Sequence, residues 1–181
     1  AIMINVPSSY RAGIELSAKM LITKKWSWEP SITLSRNKIK TFTEYIDDWD
    51  TYEQIAVKHT NMDLSFSPSL IANSSLSWNV FKGLNVNLIS KFVGKQYIDN
   101  TQSSDRQLDP YFVNNLLVKY TLNPCFVKEI SFSVMVNNLL NEKYESNAWV
   151  YRYSYENSLQ KLDGYFPQAE INFMAGISVK L

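Results

Sequence analysis

The stretch Met62–Val80, MDLSFSPSLIANSSLSWNV, decides how this chain is read. Every second position runs Met62, Leu64, Phe66, Pro68, Leu70, Ala72, Ser74, Leu76, Trp78, Val80. The intervening set runs Asp63, Ser65, Ser67, Ser69, Ile71, Asn73, Ser75, Ser77, Asn79. A period of two places one set on each face of an extended strand. A helix would mix both sets on every face. The stretch therefore reads as a single strand, much longer than the roughly five or six residues usual in globular sheets.

The alternation recurs on both sides of this stretch. Apolar rows run through Ile14–Ile22, Trp26–Leu34, Leu84–Phe92, Phe112–Leu122, Ile130–Val136 and Ala169–Leu181, each opposed by Ser, Asn, Thr or charged residues. Together these make seven strands in sequence. Short connections fall near Lys24–Ser27, Phe81–Gly83 and Asn123–Lys128, and long ones at Ile46–Thr60, Asp99–Asp109 and Glu145–Tyr165. A meander with one trimmed end and one looped end is the pattern of an outer-membrane barrel. The chain stops inside its last strand on the trimmed side, as a closing barrel strand would.

Composition narrows the classes. The chain has 181 residues, with 18 Lys+Arg against 17 Asp+Glu and a net charge of +1, so no charge excess marks a nucleic-acid partner. One Cys and one His leave no disulfide framework and no Cys/His zinc site. No apolar run approaches the roughly 18 residues of a spanning helix. Mean hydropathy is -0.22, which suits membrane strands because they hide their apolar face by alternation. The opening AIMINVPSSYR is not an intact signal peptide. A soluble sandwich would show strands about half this length, whereas these apolar rows exceed the roughly 9–11 residues of a tilted membrane strand. Trp26, Trp28, Trp78 and Phe81 beside the short turns suggest an aromatic girdle. Bacterial single-chain barrels have even strand numbers from about 8 upward, so seven strands imply a hidden strand near residues 1–8 or a segment of a larger barrel.

Four further segments carry a family resemblance. They are VPSSYRAGIEL at Val6–Leu16, with Arg11, Gly13 and Glu15; FSPSLIANSSLSW at Phe66–Trp78, with Pro68, Ala72 and Asn73; FVGKQYIDN at Phe92–Asn100; and VNNLLNEKYE at Val136–Glu145. In this order they resemble the C-terminal barrel portion of a TonB-dependent outer-membrane receptor, of the kind common in Bacteroidetes. Phe166–Leu181 is similar to the terminal strand, although the family favours a final Phe where this chain has Leu181. The resemblance implies an all-β, antiparallel, up-and-down transmembrane barrel of about 22 strands, of which residues 1–181 supply roughly the last third. The plug domain and the TonB box of the family are absent from this chain. Outer-membrane lipid, the rest of the barrel and plug, the TonB-ExbB-ExbD system and a small-molecule nutrient are the implied partners.

Catalysis finds no footing. His59, the sole His, lies between Lys58 and Thr60 without a patterned nucleophile or carboxylate and reads as a solvated loop residue. Cys125 sits in the turn NPCF, and Gly83 and Gly94 form no phosphate loop. No cofactor, catalytic or metal site is expected, and Asp47, Asp48 and Asp50 lack the calcium-loop frame. The candidate ligand-facing residues lie in two long loops. TEYIDDWDTYEQI at residues 43–55 offers Tyr45, Asp47, Asp48, Trp49, Asp50 and Tyr52. YESNAWVYRYSY at residues 144–155 offers Trp149, Tyr151, Arg152, Tyr153 and Tyr155. Aromatic and Arg-rich loop tips suit ligand contact.

The expected function is TonB-dependent active uptake of a scarce nutrient of the iron-siderophore, haem, cobalamin or oligosaccharide class, in the outer membrane of a Gram-negative bacterium. Two other classes stand beside it: a small self-contained barrel, porin-like or adhesin, and a soluble all-β carbohydrate-binding module.

Overall fold

A computed structural model describes Val6 and residues 8–181 of the chain. Its strands are β1 (Ser9–Ser17), β2 (Met20–Leu21), β3 (Trp26–Asp48), β4 (Gln54–Asp63), β5 (Leu70–Phe81), β6 (Leu84–Val93) and β7 (Gln96–Tyr97). The rest are β8 (Gln107–Leu108), β9 (Tyr111–Leu122), β10 (Glu129–Asn137), β11 (Glu145–Tyr155), β12 (Ser158–Pro167) and β13 (Asn172–Lys180). There are no helices among the described residues. An eighth strand near residues 1–8 falls on positions that, Val6 and Ser8 apart, lie outside them.

Seven strands, β1, β3, β5, β6, β9, β10 and β13, lie side by side in chain order, each antiparallel to its neighbour. This is the expected meander, curled into a half-barrel. The register turns the sequence alternation into rows across the wall. Trp26, Trp78, Val86, Val118, Val134 and Ala175 stand in one row, and Trp28, Leu76, Leu88, Leu116, Val136 and Phe173 in the next. Trp26 and Trp78 stack at 5.1 Å beside the short turns. On the opposite face Ser27, Ser77 and Asn87 continue into Leu117, Met135 and Met174, so this one row turns apolar over β9–β13, while the rows beside it keep Lys119 with Ser133 and Asn137 with Asn172.

No second sheet covers the outer rows among the described residues, where the only other sheet is the two-stranded β7–β8 pair. Ile14, Ile177 and Phe173 are 63%, 72% and 78% exposed, while among the described residues the large side chains fully buried are Ile39, Ile46 and Leu108. The chain thus leaves its most regular apolar surface open rather than folding it into a core. Gly13 shows how tightly the wall is built: a Cβ there would lie 2.6 Å from the Leu34 carbonyl oxygen of β3.

Three expectations need correction. Met62–Val80 is not one strand. β4 ends at Asp63 and β5 starts at Leu70, because Phe66 takes a positive φ of 49° and Pro68 has no N–H for a ladder. Strand length is the second: apart from β3, the wall strands have 9 to 12 residues, enough to match a tilted membrane strand but not to exceed it by much. The third concerns the long connections. β3 runs on past Leu34 through Asp48 and turns directly into β4, and most of Glu145–Tyr165 is the hairpin β11–β12. Both "loops" are strands in which polar, charged and aromatic residues break up the aliphatic positions, so no regular apolar alternation announced them. Only Asp99–Asp109 is largely irregular, and it carries β8.

Candidate functional site

The two candidate loops meet. β11 leaves the β10 end of the wall and crosses to β3, where Tyr153 and Ser154 pair in parallel with Asp47 and Asp48. The Trp49 N–H donates to the Ser154 carbonyl at 2.9 Å, and the Trp49 ring stacks on Tyr153 at 4.1 Å. Tyr151 extends that stack at 5.9 Å from Tyr153. Each acidic residue of the first loop then takes a separate task.

Asp48 builds its own turn, accepting from the Asp50 N–H and the Thr51 hydroxyl. Asp50 reaches the opposite hairpin tip, where its two oxygens accept the Glu156 and Asn157 N–H groups, both at 3.1 Å. Asp47 accepts from Gln54 at 2.8 Å and from the Tyr151 hydroxyl at 2.7 Å. Those two donors hold its carboxyl below the usual carboxylate range, and the same bond pushes the Tyr151 phenol up. Arg152 points to Glu44, with Nη1 at 2.8 and 2.9 Å from the two carboxylate oxygens. His59 Nε2 lies 2.8 Å from Glu44 Oε2 and its ring stacks on Phe42. His59 is therefore half-buried in an ion-paired seam, not a solvated loop residue. Its position next to Phe42 follows from the β3–β4 register, which local sequence did not reveal.

The remaining candidates stay open. Tyr45, Trp149, Tyr155 and Tyr52 are exposed, Tyr52 most of all at 93%. Trp149 lies across Gly164 on β12 so closely that any side chain there would collide with the indole.

The Asp99–Asp109 loop clamps the hairpin from its other side. Ile98 and Leu108 pack on Ala148, with Val150 beside them. Lys161 Nζ donates to the Asp105 carbonyl at 2.7 Å and pairs with Asp163 at 3.0 Å, which raises the lysine. Asp105 is lowered, first by the Ser103 hydroxyl. Arg106 is buried and bonds Thr101 through Nη2. Its Nη1 sits 3.2 Å from Asp99, off the hydrogen-bond direction. Between this loop and the hairpin lies a cleft of about 320 Å³ lined by Ser103, Asp105, Arg106, Arg152, Gln160 and Lys161. Its cations all have carboxylate neighbours, so the cleft is charge-compensated.

At the foot of the hairpin, VNNLLNEKYE gains a physical meaning. Asn138, 3% exposed and at φ 51°, donates to the Glu142 and Ala169 carbonyls and accepts the Glu142 N–H. Asn141 accepts the Ile171 N–H, and Tyr144 stacks on Tyr111 at 4.3 Å. These bonds fasten both ends of the β11–β12 insertion to the wall.

A family model described as "TonB dependent receptor-like, beta-barrel" matches residues 1–139. No curated protein matches. Among solved structures, the siderophore receptor PiuA from Acinetobacter baumannii is 16% identical with a TM-score of 0.64, the match covering 94% of this chain and 22% of that one. A variant of the ferric enterobactin receptor PfeA from Pseudomonas aeruginosa is 18% identical with a TM-score of 0.61, covering 98% and 23%. The ferric yersiniabactin uptake receptor FyuA from Yersinia pestis is 19% identical with a TM-score of 0.58, covering 93% and 23%. The chain thus spans between a fifth and a quarter of these structures' length. The family and the matched structures are receptors, not enzymes. The chain belongs to the TonB-dependent receptor-like β-barrel family.

Proposed function

We propose that the chain is the C-terminal wall segment of an outer-membrane receptor for active nutrient uptake in a Gram-negative bacterium. The observation that carries this reading is the pair of apolar rows that cross the six strands from β3 to β13, with no second sheet over them among the described residues. Lipid covers those rows, the Trp26–Trp78 stack marks one interface, and the hairpin lobe faces outward. The plug, the TonB box and the remaining strands of a barrel of about 22 come from outside these 181 residues. The nutrient binds on the lobe side and crosses when TonB, energised through ExbB and ExbD, acts on the plug.

Within the lobe, Asp47, Asp50 and Arg152 are occupied in joining the hairpins and Asp48 in closing its own turn. The exposed rings of Tyr45, Tyr52, Trp149 and Tyr155 are the side chains free to meet a ligand. The nutrient is of the iron-siderophore, haem, cobalamin or oligosaccharide class. The names of the matched structures favour a ferric siderophore.

The test offers cells carrying this receptor as their only uptake route one nutrient class at a time, with and without TonB. Growth that needs both TonB and residues 1–181 supports the reading. Entry independent of TonB points to a passive, porin-like barrel instead.

A further inference from the structure

The short-turn end of the wall carries a charge pattern that nutrient uptake does not use. Each short connection exposes lysine: Lys24 and Lys25 before β3, Lys82 between β5 and β6, Lys128 before β10. Lys119 and Lys180 add two more at the nearby strand ends of β9 and β13, on the face that carries Leu117 and Met174. Against these six lysines the same end holds one carboxylate, Glu129, opposite Lys180 in the register. Among the described residues every ion pair lies elsewhere. Because the whole chain is only +1, the rest of the molecule is net negative. The near-neutral total conceals a separation of charge along the strand axis.

Aromatic rings sit immediately inside these lysines. Trp26 follows Lys25 and stacks on Trp78, while Phe81 precedes Lys82 and meets Tyr120 edge-on at 6.2 Å. Such rings settle at headgroup level, and a lysine stem carries its ammonium outward from there. Successive turns lie roughly 10 Å apart, two strand spacings, so the cations are spread along a rim rather than gathered into one protein-sized patch.

We propose that the turn lysines of this rim, Lys24, Lys25, Lys82 and Lys128, bind the phosphates of anionic phospholipids in the leaflet on the short-turn side. The proposal rests on the lipid-facing reading of the apolar rows. A compact, strongly hydrated ammonium suits a phosphate met as a point charge, and each such contact favours an anionic over a zwitterionic headgroup by roughly fivefold.

The test uses the full-length receptor, extracted in mild detergent and placed in nanodiscs of mixed phosphatidylglycerol and phosphatidylethanolamine. Retained lipid is measured by mass spectrometry. The native protein is expected to enrich phosphatidylglycerol. A variant carrying Lys24→Gln, Lys82→Gln and Lys128→Gln is expected to lose that enrichment at least fivefold, and the matching Lys→Arg variant to keep it. High salt on the native protein should produce the same loss without any substitution. Equal enrichment in the native and Gln proteins, or none in the native protein, overturns the rim while leaving the lipid-facing rows intact. A receptor that stays soluble without detergent and retains no lipid overturns both.

Discussion

Glu44 and Arg152 lie 108 positions apart in the chain and meet as an ion pair at 2.8 and 2.9 Å, with side chains 15% and 19% exposed. One comes from the strand β3 that begins as part of the barrel wall, the other from a hairpin inserted before the last strand. Their contact joins two hairpins into one body, and the candidate ligand surface is the outside of that body.

Removing one partner should loosen the join. Arg152→Met leaves Glu44 with His59 alone, and the expected cost is about 2 kcal/mol in local stability, typical of a hydrogen bond to a charged group. Hydrogen exchange at the Trp49 N–H, which bonds Ser154 across the same seam, should speed up by roughly thirty-fold. A double-mutant cycle with Glu44→Gln should recover most of that loss as coupling. Unchanged exchange would show that the ring stack and Asp50 suffice.

Acid and alkali should open the Asp47–Tyr151 contact from opposite ends. Asp47 is lowered on folding, so its contribution is complete above the ordinary carboxylate value of 3.8 and is lost as pH falls through the lower folded value. Tyr151 is raised, so its contribution is complete below 10.0 and is lost as pH rises through the higher folded value. Trp49 fluorescence against pH should show both limbs. Tyr151→Phe should move the acid limb upward and abolish the alkaline one.

Neighbouring residues on opposite faces should respond differently to charge. Val118 stands in the outer row between Val86 and Val134, and Leu117 on the other face between Asn87 and Met135. Val118→Arg should cost about 2–4 kcal/mol in detergent or lipid, as for a cation on a lipid face near mid-membrane. Leu117→Arg should cost clearly less. Urea unfolding of the two variants checks the assignment, and equal losses would contradict it.

Asn138→Ala should detach the base of the hairpin. The change removes three hydrogen bonds of a buried side chain, at an expected cost of about 3 kcal/mol. Asn138→Gly keeps the positive φ easy but still loses the bonds. Similar loss in both variants assigns the effect to the side chain, whereas rescue by glycine assigns it to the backbone.

Seven wall strands, their order along the chain and their apolar faces were legible in the residues alone. Each of these follows from a two-residue period, and that period is written locally wherever one face must be apolar, as at Leu76, Trp78 and Val80. The signal overreached at Phe66 and Pro68, where alternation continued through a turn. It fell silent beyond Leu34, where Arg36, Lys38 and Lys40 occupy the row while the backbone ladder carries the strand on to Asp48. The folded chain alone puts Glu44 between His59 and Arg152 and brings Asp50 to the far tip at Glu156 and Asn157. Those relationships join residues separated by long closed segments of chain. They are set by strand register and chain closure, and no local pattern encodes either.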